Sequence, residues 1–208
     1  MRIIEAVRNH KGRPFEIPDA NRMDLPQFCV DMGYKVGVEI GVDKAKYITE
    51  FLQKGIKMYG VDPHKYYGDY PHPRGQERLD FLHEHCKRVV APYGNQATLI
   101  RKTSVEAAQD FEDNSIDFVY IDGHHGFKYV AEDLWEWTKK VRSGGMIAGH
   151  DFALTKHSEI RDPFVLHVPH VIRAWTACFN IKNWYLIGAR EGKDGEKRDM
   201  FRSWFWIK

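Results

Sequence analysis

Five short stretches of this chain place an acidic, hydroxyl or imidazole side chain at the end of an apolar run: Glu39-Ile40-Gly41, Asp62, Thr103-Ser104, Asp122-Gly123-His124-His125 and His150-Asp151. Carboxylates accept hydrogen bonds from hydroxyl and ammonium groups, and imidazole exchanges protons near neutral pH. Gathered on one surface, such groups can hold a polar ligand and move a proton on it. Core packing does not require a polar group at every such end, so the five read as one surface. The first turn, residues 39–44 (EIGVDK), holds a single glycine, Gly41. A dinucleotide cradle needs three glycines, so that a pyrophosphate can approach the backbone and the helix N-terminus. The turn therefore argues against NAD or FAD, yet it still admits a smaller cationic or zwitterionic ligand. Asp62 follows Glu39 by about 20 residues, the spacing at which an acidic side chain meets a ribose diol. A nucleoside without a pyrophosphate satisfies both facts.

For these residues to converge, the runs they terminate must lie side by side. Residues 35–40 (KVGVEI), 57–61, 97–101 (ATLIR), 116–121 (IDFVYI) and 146–149 read as strands. Between them, residues 43–54, 76–91, 104–111 and 129–141 have helical spacing or composition, the last with Val130, Leu134, Trp137 and Val141 on one stripe. This alternation predicts an α/β fold with a parallel sheet covered on both faces, in which ligands bind at the carboxyl ends of the strands. Beyond residue 152 the pattern changes. Residues 169–179 predict a helix, and 184–188 and 203–207 predict an antiparallel hairpin joined by the polar segment 189–202. Residues 1–34 read as a loose segment ending in a helix at 25–32.

Two loops border the expected ligand surface. Residues 64–75 carry Tyr66, Tyr67, Tyr70, His72 and Arg74, suited to covering a cofactor or acceptor, or to packing as a compact Ω-loop. Residues 152–168 carry His157, Arg161 and His167, suited to a polar or anionic acceptor.

The 208 residues fit one domain, 1–208, divided into an N-terminal segment (1–34), a cofactor-binding core (35–152) and an acceptor loop, helix and hairpin (153–208). With 31 Lys+Arg against 29 Asp+Glu, the net charge of +2 gives no bulk reason to expect nucleic acid or an anionic membrane as partner. No apolar run is long enough to span a bilayer, and the N-terminus lacks the apolar core of a signal peptide. Cys29, Cys86 and Cys178 are few, odd in number and far apart. They predict buried thiols in a reducing, cytoplasmic protein rather than a disulfide framework or a structural zinc site.

The segments VGVEIG, MYGVDP, DFVYIDGHHGFKYVAEDL and GGMIAGHDF, in order over about residues 33–152, resemble a class I S-adenosylmethionine (SAM)-dependent methyltransferase of the small-molecule O-methyltransferase branch, type 24-like. The resemblance implies a Rossmann-like, doubly wound, mostly parallel seven-stranded sheet with an antiparallel C-terminal hairpin. It implies that Glu39 and Gly41 line the methionine part of SAM, that Asp62 bonds the ribose hydroxyls and that Thr103 and Ser104 sit beside the adenine. Asp122 would form the floor between cofactor and acceptor, and His125 would stand at the position of the general base. In metal-dependent members a divalent cation would be held by Asp122 and the two residues ending the fifth strand, here His150 and Asp151. The chain departs from that pattern in its glycine-poor first loop and in His150, where metal-dependent relatives carry an acidic residue.

Methyl transfer from a sulfonium is an in-line displacement that needs positioning and an ionised acceptor. The two carboxylates suit a hard cation such as Mg²⁺, whereas His150 tilts the set toward Mn²⁺, Fe²⁺ or Zn²⁺. Without a metal, the histidines would work as bases alone; both readings stand. The expected acceptor is a hydroxyl oxygen of a small molecule or sugar, and a homo-oligomer is compatible with the reading. Two alternatives remain. A SAM-binding protein without turnover would not need Asp122, His125 and Asp151 together, and an NAD(P)-dependent oxidoreductase would lack its phosphate-binding glycines.

Overall fold

Ile3, Ile4 and Ala6 turn inward on the first helix of the computed structural model, which describes residues 1–66, 75–153, 166–188 and 201–208. That helix, α1 (Ile3–Asn9), leads to a short strand, β1 (Phe15–Ile17), and a 3₁₀ turn (Arg22–Asp24) that runs into α2 (Leu25–Asp31). Strand and helix then alternate: β2 (Val36–Ile40), α3 (Lys46–Leu52), β3 (Lys57–Val61), α4 (Gln76–Val90), β4 (Ala97–Ile100), α5 (Ser104–Ala108), β5 (Ile116–Ile121), α6 (Phe127–Lys140) and β6 (Val141–Phe152). The chain closes with α7 (Val168–Cys178), β7 (Tyr185–Ile187) and β8 (Arg202–Ile207).

All these strands join one eight-stranded sheet in the order β1-β7-β8-β6-β5-β2-β3-β4. Only β8 runs antiparallel to its neighbours, β6 and β7. The chain winds outward from β2 to β4 and then returns to place β5 against β2, with Ile40 opposite Ile121. That reversal is the switch point at which a crevice opens beyond the carboxyl ends of the strands.

Successive strand residues point to opposite faces, so β5 contributes to two cores. Phe118 and Tyr120 pack with Met146, Phe205, Phe28 and Phe51 on the face covered by α1, α2 and α3. Val119 and Ile121 pack with Ile147, Trp204, Leu134, Trp137 and Ile172 on the face covered by α6 and α7. Val130, Leu134 and Trp137 are the inward positions of α6, as their spacing predicts.

The structure corrects the sequence reading in four places. The sheet has eight described strands rather than seven, because residues 15–17 pair in parallel with β7, Phe15 opposite Tyr185. A three-residue strand is too short to show alternation. The N-terminal segment is not loose: α1 and β1 pack into the core, and Tyr185 donates its hydroxyl to the His10 carbonyl at 3.0 Å. The helix expected from residue 43 begins at Lys46, since Asp43 and Ala45 take positive φ values of 45° and 57°. The strand expected from residue 146 begins at Val141.

Cys29 and Cys86 are buried as expected, but Cys178 is exposed. No helix among the described residues is long and apolar enough to cross a membrane. Tyr67, Tyr70, His72, Arg74, His157, Arg161 and most of the 189–202 connection lie outside the described residues.

Candidate functional site

The carboxyl ends of β2, β3 and β5 and the N-terminus of α5 open on one cavity of about 710 Å³. Glu39, Gly41, Asp62, Thr103, Ser104, Asp122 and His125 all line it, together with His64 and Tyr66 from the loop after β3. The turns that deliver them are tightly fitted. Asp122 donates its backbone N–H to the Ile40 carbonyl at 2.8 Å, which seats the β5 turn on the β2 turn. At Gly41 φ is +88°, and a Cβ there would stand 2.1 Å from the Asp122 carbonyl oxygen. The sequence reading gave this glycine to ligand approach; the structure shows that it also lets two strand-end turns touch.

Behind the cavity wall, β6 supplies His150 and Asp151, neither among the described residues that line the cavity. Asp151 takes φ +58°, turning its side chain toward the β5 turn. Its Oδ2 lies 2.8 Å from His125 Nε2 and 3.5 Å from His150 Nδ1. Burial opposes protonation of His125, but the Asp151 hydrogen bond and the charges of Asp151 and Asp122 outweigh it, so its pKa is raised. Burial pushes the Asp151 carboxyl up, yet the two histidines pull it well below the ordinary carboxylate range. Asp122 moves the other way, raised by burial against the opposing pull of His150.

Three donors, from Asp122, His125 and Asp151, lie within 4.8 Å of one another. The structure thus adds His125 to the predicted set of Asp122, His150 and Asp151. His150 Nδ1 stands 3.8 Å from Asp122 Oδ1 and 3.5 Å from Asp151 Oδ2, so it too lies beside both carboxylates. His167, predicted near the acceptor, packs beside His125: its backbone N–H donates to the His125 carbonyl at 3.0 Å.

The other predicted residues carry structural bonds as well as lining the cavity. Asp62 accepts from the backbone N–H of Asp43 at 3.0 Å and of His64 at 2.8 Å, so it builds the turn it ends. Thr103 caps α5, accepting from the Glu106 N–H at 3.3 Å and donating to Glu106 Oε2 at 2.7 Å. Ser104 accepts from Trp137 Nε1 at 2.7 Å. Glu39 is only 1% exposed, and its Oε2 has no hydrogen-bond partner among the described residues.

Arg22 and Asp133 are among the cavity residues that escaped the sequence reading. Arg22, from the 3₁₀ turn, reaches Asp122 Oδ2 at 3.1 Å. No signal in residues 1–34 pointed to it, since a three-residue turn has no period. Asp133 was legible only as an acidic residue on the stripe side of α6, one position before Leu134. It is 5% exposed and hydrogen-bonded to Ser104, and burial pushes its carboxyl up to about 7.

That raised value means the folded chain binds the Asp133 proton more tightly than the unfolded chain does. The resulting stabilisation is present at acid pH and is lost as pH rises from the ordinary carboxylate value to about 7. Asp133→Asn keeps the Ser104 contact without the titration. In thermal melts its Tm relative to the parent should rise between about pH 5 and about pH 8. A gap that does not change with pH would show that Asp133 titrates alike in both states.

A family model described as a methyltransferase domain matches residues 38–152, just over half of the chain. A curated protein of Sinorhizobium fredii is 31% identical over 88 residues, which is 40% of this chain and 10% of that protein, so the match spans a tenth of the relative's length. A crystal structure from Staphylococcus aureus, provisionally named a caffeoyl-CoA O-methyltransferase, superposes with a TM-score of 0.60 over 99% of this chain and 90% of its own, at 14% identity. A provisionally named O-methyltransferase from Klebsiella pneumoniae gives 0.57 over 89% of this chain and 79% of its own, at 11% identity. A third structure, from Nostoc punctiforme and named in the same way, gives 0.57 over 90% of this chain and 55% of its own, at 12% identity. At these identities the likeness establishes a shared fold.

Proposed function

Because this chain belongs to the methyltransferase family whose domain model spans residues 38–152, we propose that it transfers a methyl group from SAM to a hydroxyl oxygen of a small molecule or sugar. The observation that carries this reading is the His125–Asp151 pair beside Asp122, on a cavity whose wall also holds Asp62. When bound, SAM would supply a sulfonium methyl, whose carbon the acceptor oxygen attacks in line as the C–S bond breaks and S-adenosylhomocysteine leaves. Asp62 accepts from the ribose hydroxyls through lone pairs that its two backbone donors leave over. Glu39 and Gly41 face the methionine end, and Thr103 and Ser104 the adenine end. Asp122 forms the floor beneath the acceptor. Asp151 holds His125 by Nε2, which leaves Nδ1 to take the acceptor's hydroxyl proton, and the Asp151 carboxylate stabilises the imidazolium that results.

A second reading rests on the three converging donors. Asp122, His125 and Asp151 would hold a divalent cation that lowers the pKa of a bound hydroxyl. One nitrogen and two carboxylates suit Mn²⁺, Fe²⁺ or Zn²⁺ better than Mg²⁺. The two readings exclude each other at His125, since Nε2 cannot bind a cation and Asp151's proton contact at once. Turnover lost in EDTA and restored by Mn²⁺ favours the cation; turnover indifferent to EDTA favours the proton-transfer pair.

Calorimetry with SAM, S-adenosylhomocysteine and NAD, joined to mass spectrometry of candidate acceptors, tests the reading. It expects the two SAM-type ligands to bind and an acceptor to gain the mass of one methylene. Binding of NAD alone would point to an oxidoreductase, and SAM binding with no methylated product across acceptor classes would point to a binder. Asp62→Ala should weaken SAM binding by about 1–3 kcal/mol, the cost of stranding a buried polar partner. Unchanged affinity in a folded variant would remove Asp62 from the ribose site.

A further inference from the structure

The C-terminal turns of α6 and α7 and the last residues of β8 frame a second cavity, of about 490 Å³. α6 runs directly into the start of β6, and β8 runs antiparallel to β6, so this cavity lies at the amino ends of the parallel strands. The methyl-transfer reading uses the carboxyl ends and leaves this one without a role.

Its wall is built from helical stripes. Trp135, Thr138 and Lys139 recur at i, i+3 and i+4 on α6, beside the inward stripe of Leu134 and Trp137. Trp175 and Phe179 stand four apart at the end of α7. The stripes meet ring to ring, with centroids 6.4 Å apart for Trp135 and Trp175 and 4.4 Å apart for Trp175 and Phe179. Trp135 is 58% exposed and Phe179 is 54% exposed. A single exposed aromatic is ordinary, but three in contact form a continuous apolar patch, the mark of a binding surface.

The polar groups around the patch narrow the ligand. Thr138 Oγ1 is buried and has no hydrogen-bond partner among the described residues. Asn180 and Asn183 line the same wall. A hydroxyl and two amides both donate and accept, which matches sugar hydroxyls, each of them donor and acceptor at once. The charged side chains of the wall are Lys139, Lys182 and Lys208, with no acidic one among the described residues that line it. Lys139 gives one ammonium donor to Glu136, and Lys208 gives two, to the Val141 carbonyl and Asn114 Oδ1, so each keeps a donor in reserve. Such a wall attracts an anion and repels a second copy of itself. Lysine is depleted in the cores of protein–protein interfaces, and the volume is that of a small-ligand site. The rings lie at 81° and 39° to one another. They form no parallel slot for a flat nucleobase, but they offer single faces on which the C–H side of a pyranose can rest.

We propose that this second cavity binds an acidic sugar, its ring lying on Trp135 and its anionic group meeting Lys182. The inference is independent of the methyl donor and of the acceptor.

The test is calorimetry on the full chain with four probes: glucuronate, glucose 6-phosphate, glucose and AMP. At least one of the two acidic sugars should bind about tenfold more tightly than glucose, and the tighter one shows whether the anion is a carboxylate or a phosphate. AMP shares the phosphate but not the pyranose, and should bind more weakly than the preferred acidic sugar. Trp135→Ala should weaken that sugar about tenfold, and Lys182→Gln should bring its affinity close to that of glucose. Both side chains are exposed, so the variants should melt with the parent. Failure of both acidic sugars to bind would overturn the inference. So would AMP or glucose binding as tightly as the acidic sugars, or acidic-sugar binding that neither substitution weakens.

Discussion

With His125 replaced by alanine, turnover should fall by about 10²–10⁴-fold while SAM affinity stays within about twofold. The expectation follows from geometry before it follows from titration. His125 sits on the cavity wall with Nε2 held 2.8 Å from Asp151, so its ring is oriented and one nitrogen is left over for an acceptor. Asp151 also raises the His125 pKa against the opposing effect of burial. A base works only when unprotonated, so the rate should climb with pH through a value above that of an ordinary histidine. In Asp151→Asn the charge that raised the pKa is gone, so the acid limb should move to lower pH even as the maximum falls. Rate–pH profiles of parent and both variants check this. Turnover that survives in His125→Ala places the base elsewhere, and an acid limb that stays put in Asp151→Asn separates the pair.

Gly41→Ala should cost about 2–5 kcal/mol of stability, combining the strain of a left-handed non-glycine residue with that of overpacking. The new Cβ would meet the Asp122 carbonyl oxygen at 2.1 Å and Gly123 Cα at 2.7 Å. Both are backbone atoms, so no rotamer change relieves the contact. For a chain of this size that is a fall in Tm of roughly 5–20 °C. Because the displaced atoms belong to Asp122 and its turn, ligand binding should fall with stability. A variant that melts within about 2 °C of the parent would show that the two turns have room to separate.

The sheet and the cavity wall were legible because each strand of the core is a continuous apolar run ending in one polar residue. Glu39, Asp62, Thr103 and Asp122 could be placed on one edge from that pattern alone. What escaped has no period. β1 is three residues long, and the turn bearing Arg22 is no longer. That His125 joins His150 beside the carboxylates accompanies a positive backbone angle at Asp151, which strand alternation does not foretell. Asp133 shows the converse limit: helical spacing says which side of α6 faces inward, but not that an inward position opens on a cavity.

β1 is seated against β7, and the Tyr185 hydroxyl bonds a carbonyl 175 positions earlier in the chain. Closing so long a loop is entropically slow compared with forming the local β–α units between. The segment that leads to Arg22 therefore gains its seat on the sheet only once β7 is in place.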